Sequence, residues 1–525
     1  MKIPLAEFGG MFPVRGVRGT PPHIADYVLD ADLSGGSLKP WRTDLDVSLI
    51  ANAKSLYEID GCCVIASLGC HSFAKGNPSP MCDETVYRAD GITAPQVATQ
   101  KNACLGIWWP LSFPDFSAPS VVAPAVPDNE SREDVYVAYT VVDNLGRESA
   151  PSEPSSLTSV NFGTPLLVSG FPTTYPNGKS IKIYISRQSW VSGDEIVPIE
   201  EFSGFFLAKE LPIGPASIIA MVDYPGPACM TLDYQPAPTN LHSIVDVEGS
   251  QLLGLSNNTL VASIKNTFHA WPSRLATAFY GVAQTLKAGR TMAYVLTDTA
   301  PMVVSVPSGC GQLDAFKCEQ LQIALPCVSA RGAAMHGDTV IFPSNDGLVA
   351  MSGSQWSYLP QWDKLSWQAL RPDQMIGEVY NNAYFGTTPQ GTFRLDLKAE
   401  PTRALTWVSM KPTAMHSGSG GHLVFSDASG IHSWGKGFNH RTAIWRRSTG
   451  FSIGKTAMSA VRMLGVGKAK LEFYSDTIKT RVSATVGSGK PTRFSPVRAN
   501  EFGVEISTTG EVESVIIGRS ESDVT

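Results

Sequence analysis

The stretch Asp346-Gly347-Leu348-Val349-Ala350 carries the fold in miniature: a polar turn followed at once by an apolar strand. The same phrase recurs on both sides. Turns fall at Asn257-Asn258, Asp298-Thr299, Asp346-Gly347, Gln390-Gly391 and Ser429-Gly430. Strands follow, opening Leu260-Val261-Ala262, Met302-Val303-Val304, Leu348-Val349-Ala350, Thr392-Phe393-Arg394 and Ile431-His432-Ser433. Successive turns lie roughly 39 to 48 residues apart, close to the length of one four-stranded propeller blade. Earlier turns at Asp60-Gly61 and Asp90-Gly91 read as parts of the same array. The repeats are degenerate, and no blade number is readable from them.

Two proline-rich stretches interrupt the array. One runs Pro110, Pro114, Pro119, Pro124, Pro127, the other Pro225, Pro227, Pro236, Pro238. Proline lacks the N–H a sheet interior needs, so both read as linkers. They bracket roughly 100 residues, the size of one β-sandwich. Within them Val135, Val137, Tyr139 and Val141 alternate with Tyr136, Ala138, Thr140 and Val142, apolar on both faces, as in a central strand. Asp143-Asn144-Leu145-Gly146 supplies turn chemistry, and Ile181, Ile183 and Ile185 mark a half-buried strand. Phe205-Phe206-Leu207 and Ile218-Ile219-Ala220-Met221-Val222 complete the set. No Cys…Trp…Cys framework is present, so the likeness is to immunoglobulin or fibronectin sandwiches in architecture only. The expected fold is all-β: an N-terminal arm and first part of a β-propeller over 1–115, an inserted β-sandwich over 116–238, the rest of the propeller over 239–450, and a small C-terminal β segment of short strands over 451–525, closing or capping it.

Composition agrees. Of 525 residues only 17% are charged and 43% are hydrophobic, with Gly and Pro plentiful, which suits short strands and turns rather than exposed helices. Net charge is −6, and no basic run exceeds Arg446-Arg447, which argues against a dedicated nucleic-acid binder. No run of eighteen apolar residues exists, so no membrane insertion is expected, and Met1–Leu5 lacks the apolar core of a signal peptide. Nine cysteines at irregular spacing, with no CxxC pair, read as free thiols in a reducing cytosol.

Catalytic constellations are weak. His416, His422, His432 and His440 fall close together, but their spacing matches no metal motif. Ser426 to Trp434 is similar to the Asp-box turn of sialidase propellers, with the Asp one position early and the Trp displaced; it reads as a structural turn. H-E-x-x-H and Walker A motifs are absent. No catalytic, cofactor-binding or metal residue is assigned and no cofactor is expected. Trp445-Arg446-Arg447 reads as an interface device on a strand edge, and Trp271 and Trp445 as packing anchors.

Several segments, in order, resemble the propeller-type nozzle, or tail tube, proteins of short-tailed phage virions. They are Gly36-Ser37-Leu38-Lys39-Pro40-Trp41-Arg42; Tyr136 through Asp143-Asn144-Leu145-Gly146-Arg147-Glu148-Ser149-Ala150-Pro151-Ser152; Phe268-His269-Ala270-Trp271-Pro272; Pro326-Cys327-Val328-Ser329; Asp346-Gly347-Leu348-Val349; and Trp445-Arg446-Arg447 followed by Phe451. Arg147-Glu148-Ser149 departs from the acidic-Gly turn frequent at that place. The resemblance implies a structural virion protein, not an enzyme: a homo-oligomeric ring, usually of six copies, below the portal and head-to-tail adaptor, beside tail fibre proteins. Double-stranded DNA would pass through its bore non-specifically at genome ejection. The implied location is the virion tail, with assembly in the host cytoplasm. The competing reading is a propeller-type tail protein that binds or cleaves carbohydrate, as a sialidase does. A secreted adhesin fits neither the N-terminus nor the cysteines.

Overall fold

The computed structural model describes residues 2–13, 21–59, 63–76, 84–125, 132–161, 164–192, 195–198, 204–221, 226–247, 249–305, 317–359, 361–418, 421–475 and 482–525. The chain is all-β, 53% strand and 6% helix. It divides into two compact units: one of Met1–His71, Tyr280–Val306 and Lys317–Thr525, the other of Ser72–Phe279 and Pro307–Phe316.

The first unit carries a series of antiparallel meanders. Ala283–Ala288, Met292–Thr297, Met302–Ser305 and Lys317–Gln320 form one four-stranded sheet; Ala334–His336, Thr339–Pro343, Leu348–Ser352 and Gln355–Tyr358 form the next. Ile376–Tyr380, Ala383–Thr388, Gly391–Asp396 and Leu405–Val408 form a third. In a fourth, Ala414–Ser417, Leu423–Ser426 and Ile431–Ser433 are completed by Leu45–Ser48, from the other end of the chain. Ser55–Ile59 and Cys63–Ser67 pair as a two-stranded sheet. The recurrent turns each join the second strand of a sheet to the third. Gly391 and Gly430 there take positive φ values of 141° and 154°, which only glycine adopts cheaply. The first strands of the sheets are neighbours in succession: Ala283–Ala288, Ala334–His336, Ile376–Tyr380, Ala414–Ser417, then Ser55–Ile59. Strands in the middle of each meander are buried on both faces, hence their unbroken apolar runs, whereas Gln355–Tyr358, at an edge, is exposed throughout.

The C-terminal residues differ from the short strands expected. Ala443–Gly465 is a 23-residue strand and Thr492–Thr508 one of 17 residues, paired along most of their length with register shifts. At about 3.3 Å per residue the longer would span ~75 Å if straight. The third meander joins them through Tyr27–Leu29 into an eleven-stranded sheet. Serine, threonine and glycine masked the continuity, because only the inward face (Val461, Met463, Val504, Ile506) is apolar.

The second unit holds two four-stranded sheets and a sandwich. The sheets are Ser72–Gly76, Thr85–Ala89, Gln96–Thr99 with Trp109–Pro110, and His242–Val247, Gln251–Ser256, Thr259–Ala262 with Ala276–Ala278. Between them in sequence, Ser120–Val122, Pro165–Ser169 and Ser217–Met221 form one sheet of a sandwich. Arg132–Asp143, Thr158–Val160, Gly178–Ser192, Glu195–Pro198 and Phe206–Pro212 form the other, and both sheets contribute to one core. Arg132–Asp143 is central, with Val137, Tyr139 and Val141 opposite Ile185, Ile183 and Ile181.

The segment 149–155, Ser-Ala-Pro-Ser-Glu-Pro-Ser, runs along the free side of that central strand. Its prolines cannot donate to a ladder, so its serines take over. Ser149, Ser152 and Ser155 give their N–H groups to the carbonyls of Val141, Tyr139 and Val137 at 2.8–2.9 Å. Their hydroxyls accept the N–H groups of the same three residues at 3.0–3.1 Å. All three serines are buried, so every polar group of this edge is satisfied without ordinary strand pairing.

The cysteines contradict the expectation of nine free thiols. Cys63 and Cys104 are each disulfide-bonded, while Cys70, Cys229 and Cys327 are free. Linear spacing does not reveal which sulfurs a fold brings together. Cys62, Cys82 and Cys310, and the Asp60-Gly61 turn, lie outside the described residues.

Candidate functional site

The four clustered histidines do not converge. His416, on Ala414–Ser417, has its ring 5.1 Å from that of Tyr57; His440 bridges to Arg42; His422 precedes Leu423–Ser426. Among the described residues no group of three His, Cys, Asp or Glu side chains could hold a metal ion. His432 alone sits in a polar constellation. Its Nδ1 is 2.9 Å from Asp46 Oδ1, and its Nε2 is 3.1 Å from Asp427 Oδ1 and 2.9 Å from Ser429 Oγ.

Serine, histidine and aspartate in this order look like a nucleophile and its base. The remaining contacts decide otherwise. The Ser429 hydroxyl lies 2.6 Å from Asp427 Oδ1, so its proton goes to a carboxylate and not to the imidazole. Both ring nitrogens face carboxylates, so the imidazole is held between two acidic residues of the chain rather than presented to a substrate. The Ser429 and Gly430 N–H groups also donate to Asp427 Oδ1, leaving no donor pair for an oxyanion. Burial alone would raise the Asp427 carboxyl; the Ser429 hydroxyl and N–H and the His432 ring outweigh it and hold the group below its usual range. These contacts tie the polar groups of the turn to one another. The turn is also a clasp, since Asp46 belongs to the strand that completes this sheet. Asp46 is 89% exposed, so its half of the clasp contributes little.

A firmer tie lies beside it. Arg441 pairs with Asp44 and Ser409, reaches Asp30 at 3.5 Å and stacks over Trp434 at 4.7 Å. Sequence reading missed Asp44 and Asp46, which meet their partners across almost the whole chain. The strand that follows Ile431–Ser433 in sequence, Ala443–Gly465, pairs instead with Tyr27–Leu29 and Thr492–Thr508.

The inner strands carry a second polar group. Glu378, on Ile376–Tyr380, accepts the Val379 N–H at 3.0 Å. Burial pushes its carboxyl up to about 7, against the opposing charge of Lys287 on Ala283–Ala288.

Trp445-Arg446-Arg447 is not on an edge. Ala443–Gly465 lies between Tyr27–Leu29 and Thr492–Thr508. Arg447 is 2% exposed and donates to the carbonyls of Pro21 and Ile24 at 2.6 and 2.7 Å. Arg446 lies over Tyr27 and 3.8 Å from Glu505. Trp445 is buried, edge-on to Phe8, its indole N–H bonded to Gly9 O. Trp271 is buried with its N–H on Phe268 O at 2.9 Å. Both tryptophans thus pack inward.

At Arg147-Glu148-Ser149 the departure from an acidic-Gly turn has a clear consequence. Arg147 pairs with buried Asp143 at 2.7 Å and donates to the carbonyls of Pro110 and Leu111. Glu148 collects the Thr140 and Tyr184 hydroxyls and the Lys182 ammonium.

No family model and no curated protein matches the chain. Among solved structures, the chain is similar to PorZ of Porphyromonas gingivalis, described as a surface component of the type-IX secretion system, at 9% identity over 80% of this chain and 74% of that one, TM-score 0.27. It is similar to the extracellular domain of the putative one-component system BT4673 of B. thetaiotaomicron at 8% identity over 80% and 76%, TM-score 0.27. The AfRom2 CNH domain matches at 14% identity over 62% and 90%, TM-score 0.26. At these scores the likenesses carry no argument about fold or function.

Proposed function

We propose that the chain is a structural subunit of a phage tail: a β-propeller with an inserted immunoglobulin- or fibronectin-like sandwich, assembling into a ring through which the genome leaves the particle. What supports the propeller is the repeat itself. Among the described residues, five four-stranded antiparallel sheets, the pair Ser55–Ile59 with Cys63–Ser67, and the four-strand meander inside the eleven-stranded sheet recur along the sequence, with the sandwich between proline linkers lying among them. The tail assignment rests on the ordered motifs that resemble nozzle proteins, with the portal-adaptor complex above and fibre proteins beside the ring as partners. Two disulfide-bonded cysteines suit a particle that acts outside the cell.

The observation that carries the conduit role is electrostatic. Net charge is −6, and both members of the one adjacent basic pair are already partnered within the chain, buried Arg447 by backbone carbonyls and partly exposed Arg446 by Glu505 and Tyr27. A conduit must not hold its cargo, and each cation paired with phosphate adds affinity regardless of sequence. Duplex binding followed by fluorescence anisotropy at about 20 mM and about 200 mM salt tests this. The conduit shows little affinity even at the lower salt; tight binding with a steep salt dependence would remove the role.

A further inference from the structure

The second unit contains a cleft of about 290 Å³ that none of the preceding functions uses. Its floor is aromatic: Phe113, Phe116, Tyr234 and His269. Phe113 and Tyr234 both stand edge-on to the His269 ring, at 5.8 and 5.5 Å. Phe113 stacks on Tyr175 at 5.6 Å, and Phe116 packs on Tyr139 and Tyr175. The walls are stiff, since Pro114, Pro151 and Pro236 line them and the Glu153 N–H bonds to Phe116 O. Two exposed carboxylates, Asp115 and Glu153, stand at the rim, and neither has an ion pair or side-chain hydrogen bond among the described residues.

The cation against this floor, Arg147, lies 5.3 Å from the Phe113 ring and is itself neutralised by Asp143. His269 gives its Nε2–H to Glu148 O, and burial, with Arg147 nearby, pushes its pKa down to about 3, so the ring stays neutral. Arg147 is spent on Asp143 and two carbonyls. An electron-rich aromatic floor beneath unpaired carboxylates is the chemistry that selects an organic cation. The volume lies at the small end for ligand pockets, enough for one side chain and short of an oligosaccharide. Flat ring walls and two acceptors favour a planar, weakly hydrated guanidinium over a compact ammonium.

We propose that this cleft receives an arginine side chain of a partner polypeptide, stacked on the aromatic floor and paired with Asp115 and Glu153. Titration of the full chain with acetyl-Gly-Arg-Gly-amide, its citrulline twin and its lysine twin, by calorimetry, tests it. The arginine peptide saturates the site and binds about tenfold tighter than the citrulline peptide, with lysine between them. Glu153→Gln weakens the arginine peptide about three- to fivefold and leaves the citrulline peptide unchanged. Phe116→Ala weakens both, and an unchanged thermal melt shows that the variants fold. Equal affinity for arginine and citrulline, no saturation by about 10 mM, or a Glu153→Gln variant that binds as the parent does, each overturns the proposal. So does saturable binding of chitotriose that the arginine peptide fails to displace.

Discussion

At the scale of single residues, Glu378 is a carboxyl held where its charge is penalised. Its carboxyl sits near 7 instead of the ordinary 4.5 because burial penalises the charge more than Lys287 repays. Below about 4.5 the group is protonated in the folded and unfolded chain alike and costs nothing. Between that value and about 7 the unfolded chain sheds its proton first, so stability falls as pH rises, and above 7 the penalty is complete. Glu378→Gln therefore melts higher than the parent at pH 8 and no higher at pH 4. The gain is about 1–2 kcal/mol, reduced because Lys287 loses its counter-charge. Equal shifts at both pH values, seen by differential scanning calorimetry, would contradict this assignment. Trp271 gives the opposite test: it fills the core shared by Phe268, Tyr87 and Leu252. Trp271→Ala should cost about 3–5 kcal/mol and lower soluble yield. An unchanged melt would mean that this ring is not an anchor.

At the scale of elements, the serine ladder explains why a proline-bearing segment can lie along a central strand. Ser152→Ala leaves the buried Tyr139 N–H without its acceptor, at a cost of about 1–3 kcal/mol. Urea unfolding checks it; a variant within about 0.5 kcal/mol of the parent would show that water replaces the hydroxyl. The turns of the repeat and the apolar strands after them were legible because both signals are local: Asx and Gly chemistry, then a strand buried on both faces. The sandwich strands at Val135–Val142 and Ile181–Ile185 were legible by alternation. What stayed hidden depends on distant pairings. Leu45–Ser48 carries no sign that it completes the sheet of Ile431–Ser433. Arg446-Arg447 looks like an edge until Tyr27–Leu29 is seen beside it. The 23-residue strand was hidden by its polar outer face. The disulfide-bonded state of Cys63 and Cys104 has no sequence signature at all. For the candidate site, the Asp427 turn was readable and the Asp46 and Asp44 ties were not.

At the scale of the whole molecule, the account joins three features: repeated sheets, an acidic balance, and a basic pair already partnered within the chain. A low density of charge with many aromatics suits broad contacts between copies, and a heterologous contact repeated by rotation closes a ring. Assembly is thus the property on which the conduit depends. The most direct measurement is the assembled state of the purified full-length chain, by native mass spectrometry and electron imaging of the same sample. The account predicts a discrete ring, of six copies if it follows the proteins it resembles, with an open centre wide enough for double-stranded DNA. A monomer at every concentration, with or without glycan turnover, would contradict it.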